Sequence, residues 1–245
     1  MIRFCLRANW RRHTDVKQGS DEWKRHKSEG GSFGSSQCAA VFPGVSTTCS
    51  HPELVESLHG KPQRSRDAFA VSMMQKGQDM EPALREECVD IVEKLSGRRL
   101  TFLVPNQFAL DSLTFGAVQE RSSPDCIMID HDDYSYALAE IKYRPASPKD
   151  CGWGPKRDEL GLTVWCQAQH QMFVTDIDVC YVYSGSPCGA RRLWRVDYCQ
   201  PFRPKFVAAL EWCWSHEDDV KHPFPRVKSD LTTLMEKTSE LLYAK

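Results

Sequence analysis

Two acidic residues and a lysine form the group in this sequence most able to do chemistry. Asp125 follows Ser-Pro, and fourteen residues separate it from the run Glu140-Ile141-Lys142. Two carboxylates supply the oxygen ligands that Mg²⁺ prefers. A lysine two residues beyond Glu140 can orient or deprotonate a metal-bound water, or stabilise charge on the phosphate. Such a group is typical of metal-assisted phosphodiester hydrolysis. An exposed strand with alternating charges gives the same spacing, so the pattern alone leaves both readings open.

The residues around this group predict a β-hairpin. Cys126–Ile129 is an apolar run, a polar turn follows, and the segment Ser135–Lys142 alternates between the two faces of a strand. Glu140 and Lys142 are two residues apart and therefore share a face. Because a hairpin folds its two ends side by side, we expect Asp125 to meet both of them at one end of a sheet.

The rest of the chain predicts an α/β fold with this hairpin inserted between helices. The longest helix is expected over 67–96, with Gly97 as its stop and Pro82 in a first turn or at a kink. Its apolar face is expected to contain Leu84, Cys88, Ile91, Val92 and Leu95. Further helices are predicted over 163–175, about 204–215 and 227–243, and strands over 100–105, 108–113, 177–184 and 192–198.

The composition is that of an ordinary globular chain. With 245 residues, 41% of them hydrophobic and 27% charged, the chain can bury a core, and we expect one domain over 1–245. No apolar run is long enough to span a membrane, and the apolar stretch at the N-terminus is too short for a secretory leader. We therefore expect an intracellular protein with no membrane partner.

Eleven cysteines are scattered along the chain without any Cys-x-x-Cys pair. Zinc fingers and ribbons need two close pairs, which this spacing does not supply. We expect most of these cysteines to be small buried hydrophobic residues. A metal knot formed by Cys49, His51 and Cys151 is the alternative.

Charge is distributed unevenly although the formal net charge is only −1. Residues 1–30 carry eight Lys or Arg against four acids, and residues 191–205 carry five against one. Residues 77–140 carry thirteen acids against five bases. An acidic centre between basic segments suits a cation site beside an anionic ligand, although ordinary charge scatter gives the same pattern.

Five segments in order resemble one nuclease family. The hairpin residues Ser-Pro-Asp (123–125) and Glu-Ile-Lys (140–142) form one of them. The others are QGSDEW (18–23), FGSSQCAA (33–40), MQKGQDMEP (74–82) and QAQHQMFVT (167–175). Over 18–175 the chain resembles the lambda exonuclease / YqaJ-type viral recombinase family of the PD-(D/E)XK nuclease superfamily. This resemblance implies a restriction-endonuclease-like core, in which helices flank a mixed central sheet.

The resemblance implies a site for Mg²⁺, with Mn²⁺ as a substitute. Asp125 and Glu140 match the two acidic ligands, and the Ile141 carbonyl matches a backbone ligand. Glu81 matches a helix glutamate that assists the metal site. From the residues alone, Glu81 could equally form a surface ion pair with Arg85, four residues further on.

The resemblance also implies catalytic and phosphate-binding positions. Lys142 matches the catalytic lysine, and Gln167 matches a glutamine that contacts the active site, with Gln169 as its neighbour in the motif. Residues matched to contacts with a terminal 5′-phosphate are Ser36, Ser123 and Lys27. Bases expected to contact backbone phosphates are Arg144, Lys149, Lys156, Arg157, Arg191, Arg192 and Arg195.

Three features depart from the family pattern. Lys27 stands where lambda exonuclease has an arginine, which leaves specificity for a 5′-phosphate open. Cys126 replaces the usual glycine after Ser-Pro-Asp, and the hairpin loop is longer than usual. Neither of the last two changes involves an expected metal ligand.

The function implied by the resemblance is a metal-dependent DNA exonuclease that degrades linear double-stranded DNA from 5′ to 3′ in recombination or repair. An endonuclease, an RNA-cleaving relative and a non-catalytic nucleic-acid-binding accessory protein are the alternatives. The implied partner is a double-stranded DNA end, while a single-strand annealing protein and a homotrimer are left open. The expected compartment is the nucleus or a viral factory if the source is eukaryotic or viral.

Overall fold

The computed structural model describes residues 32–61, 68–104, 114–115, 118–144, 160–216 and 224–245. The helices in these ranges are α1 (His51–Leu58), α2 (Ala68–Ser96), α3 (Leu162–Thr175), α4 (Phe202–Ser215) and α5 (Lys228–Thr238), with a 3₁₀ helix over Ser35–Val41. The strands are β1 (Ser32–Gly34), β2 (Leu100–Leu103), β3 (Thr114–Phe115), β4 (Val118–Arg121), β5 (Cys126–Asp130), β6 (Tyr136–Tyr143), β7 (Val179–Gly185), β8 (Arg191–Asp197) and β9 (Ser239–Ala244).

A six-stranded mixed sheet in the order β2-β5-β6-β7-β8-β9 forms the centre of the fold. Strands β6 and β7 are parallel, and the other neighbours in this sheet are antiparallel. A second sheet has the order β1-β4-β3, with β1 and β4 parallel. The expected fold class, a mixed central sheet flanked by helices, is confirmed.

Helices cover both faces of the central sheet. On one face, α2 packs against a core that includes Met128, Ala139 and Tyr183. On the opposite face, α3 and α4 pack with the 3₁₀ helix against a second core that includes Ile127 and Leu138. Because successive residues of a strand point to opposite faces, both sets of side chains in β5 and β6 must be apolar. This explains the uninterrupted apolar run at the start of the hairpin.

The predicted hairpin is confirmed. Cys126 pairs with Ala139 and Ile129 with Tyr136 in an antiparallel ladder. The turn closes with the Asp130 N–H donating to the Ser135 carbonyl over 3.0 Å. The ladder register places Asp125, which precedes β5, beside Glu140.

The long helix α2 matches its predicted range and ends at Gly97, whose φ of 68° is the left-handed conformation that favours glycine. Pro82 lies inside the helix, more than three turns from its start at Ala68, so its predicted place in a first turn is wrong. None of the side chains from 68 to 83 is buried. The predicted apolar face fails at its C-terminal end, where Leu95 is 53% exposed because the helix extends past the sheet core.

Helix α2 approaches β7 closely at Gly185. A Cβ atom added there would collide with the buried side chain of Leu84. Glycine at this position therefore lets the helix and the sheet pack together.

The predicted helix over 227–243 is too long. Helix α5 ends at Thr238, and Ser239–Ala244 forms the edge strand β9, which pairs antiparallel with β8. In the strand, Leu242 and Tyr243 pack against the core under α2. The hydrogen bonds that complete the edge of β8 are available only in this conformation.

The remaining predicted elements agree with the structure within a few residues, except the strand over 108–113, which lies outside the described residues. Seven of the nine described cysteines are buried, which confirms the prediction for them, and all nine are free thiols. Of the residues in the alternative metal knot, His51 forms a hydrogen bond from Nδ1 to the Ala40 carbonyl over 2.9 Å. Cys151 lies outside the described residues. None of the helices in the described ranges has the length and apolarity needed to span a bilayer.

Candidate active site

Asp125 and Glu140 lie side by side at one end of the central sheet. The Ile141 N–H donates a hydrogen bond to Asp125 Oδ2 over 2.6 Å, which ties the end of one strand to the other. Glu140 is buried with 2% of its surface exposed, while Asp125 is partly buried. The hairpin therefore brings the two predicted acidic ligands together.

Lys142 completes the group on the same face of β6. Its ammonium donates to Glu140 Oε1, and it also donates to Gln167 Oε1 over 3.2 Å. This ammonium therefore connects Glu140 on β6 to Gln167 on helix α3.

Helix α3 holds both oxygens of Glu140. Gln167 Nε2 donates to Oε1 over 2.6 Å, and Gln171 Nε2 donates to Oε2 over the same distance. Gln171 was not among the predicted site residues. Its position four residues after Gln167 was the signal in the sequence, because residues at this spacing share a helix face.

Gln169 lies on another side of the helix, so its predicted place at the site is wrong. Its Nε2 donates to the Asp197 carbonyl over 2.8 Å, and its Oε1 accepts from the Cys199 N–H over 2.7 Å. It is fully buried and connects α3 to the end of β8. Two residues along a helix correspond to a rotation of about 200°, which turns Gln169 away from Gln167.

Glu81 is close enough to influence the site and is also paired with Arg85. The Arg85 guanidinium donates to Glu81 Oε1 within α2, with the arginine side chain 9% exposed and the glutamate 30% exposed. The negative charge of Glu81 is one of the causes that raise the Asp125 pKa. The ion pair with Arg85 therefore forms beside the acidic group, and it is partly buried.

The electrostatics of the site favour a cation. Burial raises the pKa of Asp125 well above its ordinary value, and repulsion from Glu140 and Glu81 adds to this, although Lys142 and the Ile141 N–H oppose it. Burial alone would lower the pKa of Lys142, but attraction to Glu140 and Asp125 outweighs it and the pKa is raised. Lys142 is therefore charged at neutral pH.

The neighbouring thiol has a different character. Burial raises the pKa of Cys126 to about 12, and the residue is fully buried. Because only a thiolate binds metals well, Cys126 is a packing residue beside Asp125.

The predicted phosphate-binding residues in the described ranges lie on three separate segments. Ser36 is exposed at the start of the 3₁₀ helix, Ser123 is partly buried two residues before Asp125, and Arg144 is exposed two residues after Lys142. The Arg144 N–H donates to the Gly185 carbonyl over 2.9 Å, which extends the pairing of β6 with β7. Lys27 lies outside the described residues.

Several of the other predicted DNA-binding bases are held by the protein itself. Arg191 donates to Glu87 over 2.8 Å, and Arg195 donates to Asp197 over 2.9 Å. Arg192 donates to the main-chain carbonyls of Arg191 and Lys245, both over 2.8 Å. That strand β8 supplies phosphate contacts stays a prediction. Lys149, Lys156 and Arg157 lie outside the described residues.

The donor set fits a magnesium ion. Within the described ranges, no three His, Cys, Asp or Glu side chains are grouped closely enough to hold a metal ion by themselves. Mg²⁺ does not require such a cage, because one or two carboxylates suffice when waters and substrate phosphates supply the other ligands. Adjacent, mutually repelling carboxylates on Asp125 and Glu140 meet this requirement.

The chain combines a mixed sheet covered by helices on both faces with an Asp…Glu-x-Lys hairpin at the end of that sheet. Solved structures of an alkaline exonuclease, LHK-Exo from Laribacter hongkongensis, share this fold. One aligns with a TM-score of 0.51 at 18% identity, covering 89% of this chain and 97% of the exonuclease. Its complex with dAMP aligns over the same shares of both chains with a TM-score of 0.50 and 18% identity.

No protein-family model matches the sequence, and no curated protein does. The likeness to LHK-Exo confirms the resemblance predicted from the motifs at the level of the fold.

Proposed function

We propose that this protein is a Mg²⁺-dependent DNA exonuclease that hydrolyses phosphodiester bonds at the ends of linear double-stranded DNA. The observation that carries the proposal is the convergence of Asp125, Glu140 and Lys142 at one end of the sheet. The shared fold with an alkaline exonuclease supports it. The polarity we propose is 5′ to 3′, and the process is recombination or repair.

In this proposal, Asp125, Glu140 and the Ile141 carbonyl hold Mg²⁺ or Mn²⁺, with Glu81 assisting. The bound ion would polarise the scissile phosphate and lower the pKa of the attacking water. Gln167 and Gln171 fix both oxygens of Glu140, so its carboxylate is oriented before the ion binds. Fixed outer contacts of this kind commonly tune metal affinity.

Lys142 acts as a fixed positive charge. Burial opposes its charge, but attraction to Glu140 and Asp125 raises its pKa, so in the metal-free protein it keeps its proton at neutral pH. Its ammonium would orient the attacking water by hydrogen bonding and stabilise the charge that develops on the phosphate.

Phosphate contacts in this proposal come from Ser36, Ser123 and Arg144, with Lys27 as a further candidate. Such contacts position the DNA backbone without reading its sequence. Binding should therefore weaken steeply as salt rises, because each neutralised phosphate releases counterions. An affinity that is flat between low and moderate salt would contradict this part of the proposal.

The direct test is digestion of linear duplex DNA labelled at each 5′ end, with and without Mg²⁺. The Asp125→Asn variant should lose metal-dependent cleavage, whereas Asp178→Asn, at an exposed position, should keep it. Release of label from the ends that needs both Mg²⁺ and Asp125 would support the exonuclease. Tight binding without cleavage would favour an accessory protein, and cleavage of circular DNA or RNA would favour the other nuclease alternatives.

A further inference from the structure

A buried chain of polar side chains runs behind the candidate active site. Arg203 donates two hydrogen bonds to Glu120, to Oε1 over 2.8 Å and to Oε2 over 2.9 Å. His170 Nε2 lies 3.0 Å from Glu120 Oε2, and His170 Nδ1 lies 2.9 Å from Ser35 Oγ. Four elements thus meet in one network: α4, β4, α3 and the 3₁₀ helix.

The members of this network are removed from solvent. Glu120 is 0% exposed, His170 1% and Ser35 5%. The Arg203 guanidinium stacks 3.3 Å from the centre of the Phe173 ring, which covers it on one side. Burying a carboxylate costs several kcal/mol unless it is fully paired, so the fold retains these groups only with all their partners in place.

The network joins the helix whose glutamines hold Glu140 to the strand that precedes Asp125 in the chain. His170 lies on α3 between Gln167 and Gln171, the two residues that hold Glu140. Glu120 lies on β4, five residues before Asp125. A side chain of α3 reaches about 5 Å from the helix axis, so a rotation of about 10° moves its tip by roughly 1 Å. Such a displacement would break the hydrogen bonds that the Gln167 and Gln171 amides donate to Glu140.

We propose that His170 and Glu120 are positioning residues for the candidate active site. Their hydrogen bond fixes the rotation of α3 relative to β4, the strand that precedes Asp125. It thereby keeps Gln167 and Gln171 within hydrogen-bonding distance of Glu140. This inference rests on the proposed function in one respect only, namely that Glu140 is a metal ligand.

The chain offers a matched control for His170. His51 is also a buried histidine, and it also contacts the 3₁₀ helix, through the Ala40 carbonyl at 2.9 Å. In the described contacts it touches none of Gln167, Gln171 or Glu140. The pair His170→Leu and His51→Leu therefore compares loss of a buried imidazole with and without the link to α3. Ser35→Ala removes a single oxygen atom and tests the network if His170→Leu fails to fold.

Two readouts separate positioning from general loosening of the fold. Affinity for Mn²⁺ without DNA is measured from the electron paramagnetic resonance signal of the free ion. The kcat and KM are measured on linear duplex DNA. We expect His170→Leu to weaken Mn²⁺ binding on the order of tenfold and to lower kcat with little change in KM. We expect a smaller loss of the same kind in Ser35→Ala, and none in His51→Leu at a comparable melting temperature.

The outcomes also distinguish this inference from the proposed function. Wild-type Mn²⁺ affinity and kcat in His170→Leu, or equal losses in both histidine variants, would overturn the positioning role while leaving the nuclease in place. If the wild type binds Mn²⁺ but cleaves nothing, and His170→Leu still weakens binding, the positioning role holds and the nuclease fails. If the wild type neither binds Mn²⁺ nor cleaves, both are overturned.

Discussion

Gln171 donates to Glu140 Oε2 over 2.6 Å, while Gln167, one helical turn earlier, holds Oε1. Both amides come from α3, so one rigid element orients the whole carboxylate. A buried acid oriented in this way is preorganised for a cation at one defined position.

Replacing Gln171 should impair metal binding more than folding. In Gln171→Leu we expect the affinity for Mn²⁺ to fall by about 10- to 100-fold, because Glu140 loses the contact that orients Oε2. Calorimetric titration with Mn²⁺ measures this directly. Gln200→Leu, at an exposed position, is the control and should bind as the wild type does. Equal affinities in the two variants would contradict the role of Gln171.

Asp125 should destabilise the metal-free protein at neutral pH. Its folded pKa is raised, so the folded state holds the proton more tightly than the unfolded state does. Its contribution to stability is therefore present below about pH 4, the ordinary Asp pKa, and is lost as the pH rises through the folded pKa. Asp125→Asn should raise the melting temperature of the metal-free protein, and this gain should grow as the pH increases from about 4.

Thermal melts of the two proteins in a chelator, at several pH values, test this. We expect Asp125→Asn to melt at a higher temperature than the wild type at pH 7, and the difference to be smaller near pH 4. The same variant should lose cleavage by a factor of about 1,000 or more if the metal supplies several kcal/mol of transition-state stabilisation. If the stability gain of Asp125→Asn over the wild type is smaller at pH 7 than at pH 4, the raised pKa of Asp125 is refuted.

Lys142 should act through its charge at all ordinary pH values. Because its pKa is raised from an already high value, we expect no falling limb due to this residue in the kcat profile between pH 6 and 9. Lys142→Met should lower kcat by about 100- to 1,000-fold, as is typical for loss of a transition-state donor. Lys94→Met, on the exposed part of α2, is the control. A rise in kcat with pH near pH 8 that disappears in Lys142→Met would show that Lys142 is a general base instead.

Two glycines should respond in opposite ways to alanine. A Cβ at Gly185 collides with Leu84, so Gly185→Ala should destabilise the fold by about 1–3 kcal/mol through overpacking. A Cβ at Gly77, inside α2, meets no atom within 4 Å, so Gly77→Ala should stabilise by roughly 0.5–1 kcal/mol. Urea unfolding of both variants checks this. Equal changes in the free energy of unfolding for the two variants would mean that Leu84 of α2 does not pack directly against Gly185 of β7.

The hairpin and its acidic end could be predicted because their signals are local. Alternation in the second strand and the polar turn fix the pairing of β5 with β6. Once that pairing is known, the proximity of Asp125 and Glu140 follows from geometry. The long helix could be predicted for the same reason, since its apolar spacing lies within the helix and Gly97 follows it directly.

Partners chosen by distant packing could not be predicted in the same way. Helical spacing puts Gln171 on the face of Gln167 and Gln169 on another face, but only the docking of α3 on the sheet decides which face meets Glu140. The segment Ser239–Ala244 has leucines that suit a helix or a strand, and the free edge of β8 decides for the strand. Arg191 reads as a free base in the sequence, but Glu87, from a separate element, binds it.

The hydrogen bond to Asp125 comes from the main chain of Ile141, not from its side chain. Every amino acid except proline carries this N–H group, so a substitution at position 141 leaves the bond intact as long as the strand persists. The Ile141 side chain points instead into the core under α2. Across evolution, this position is therefore free to drift among apolar residues of similar volume, adjusting the core while the chemistry next to it stays unchanged.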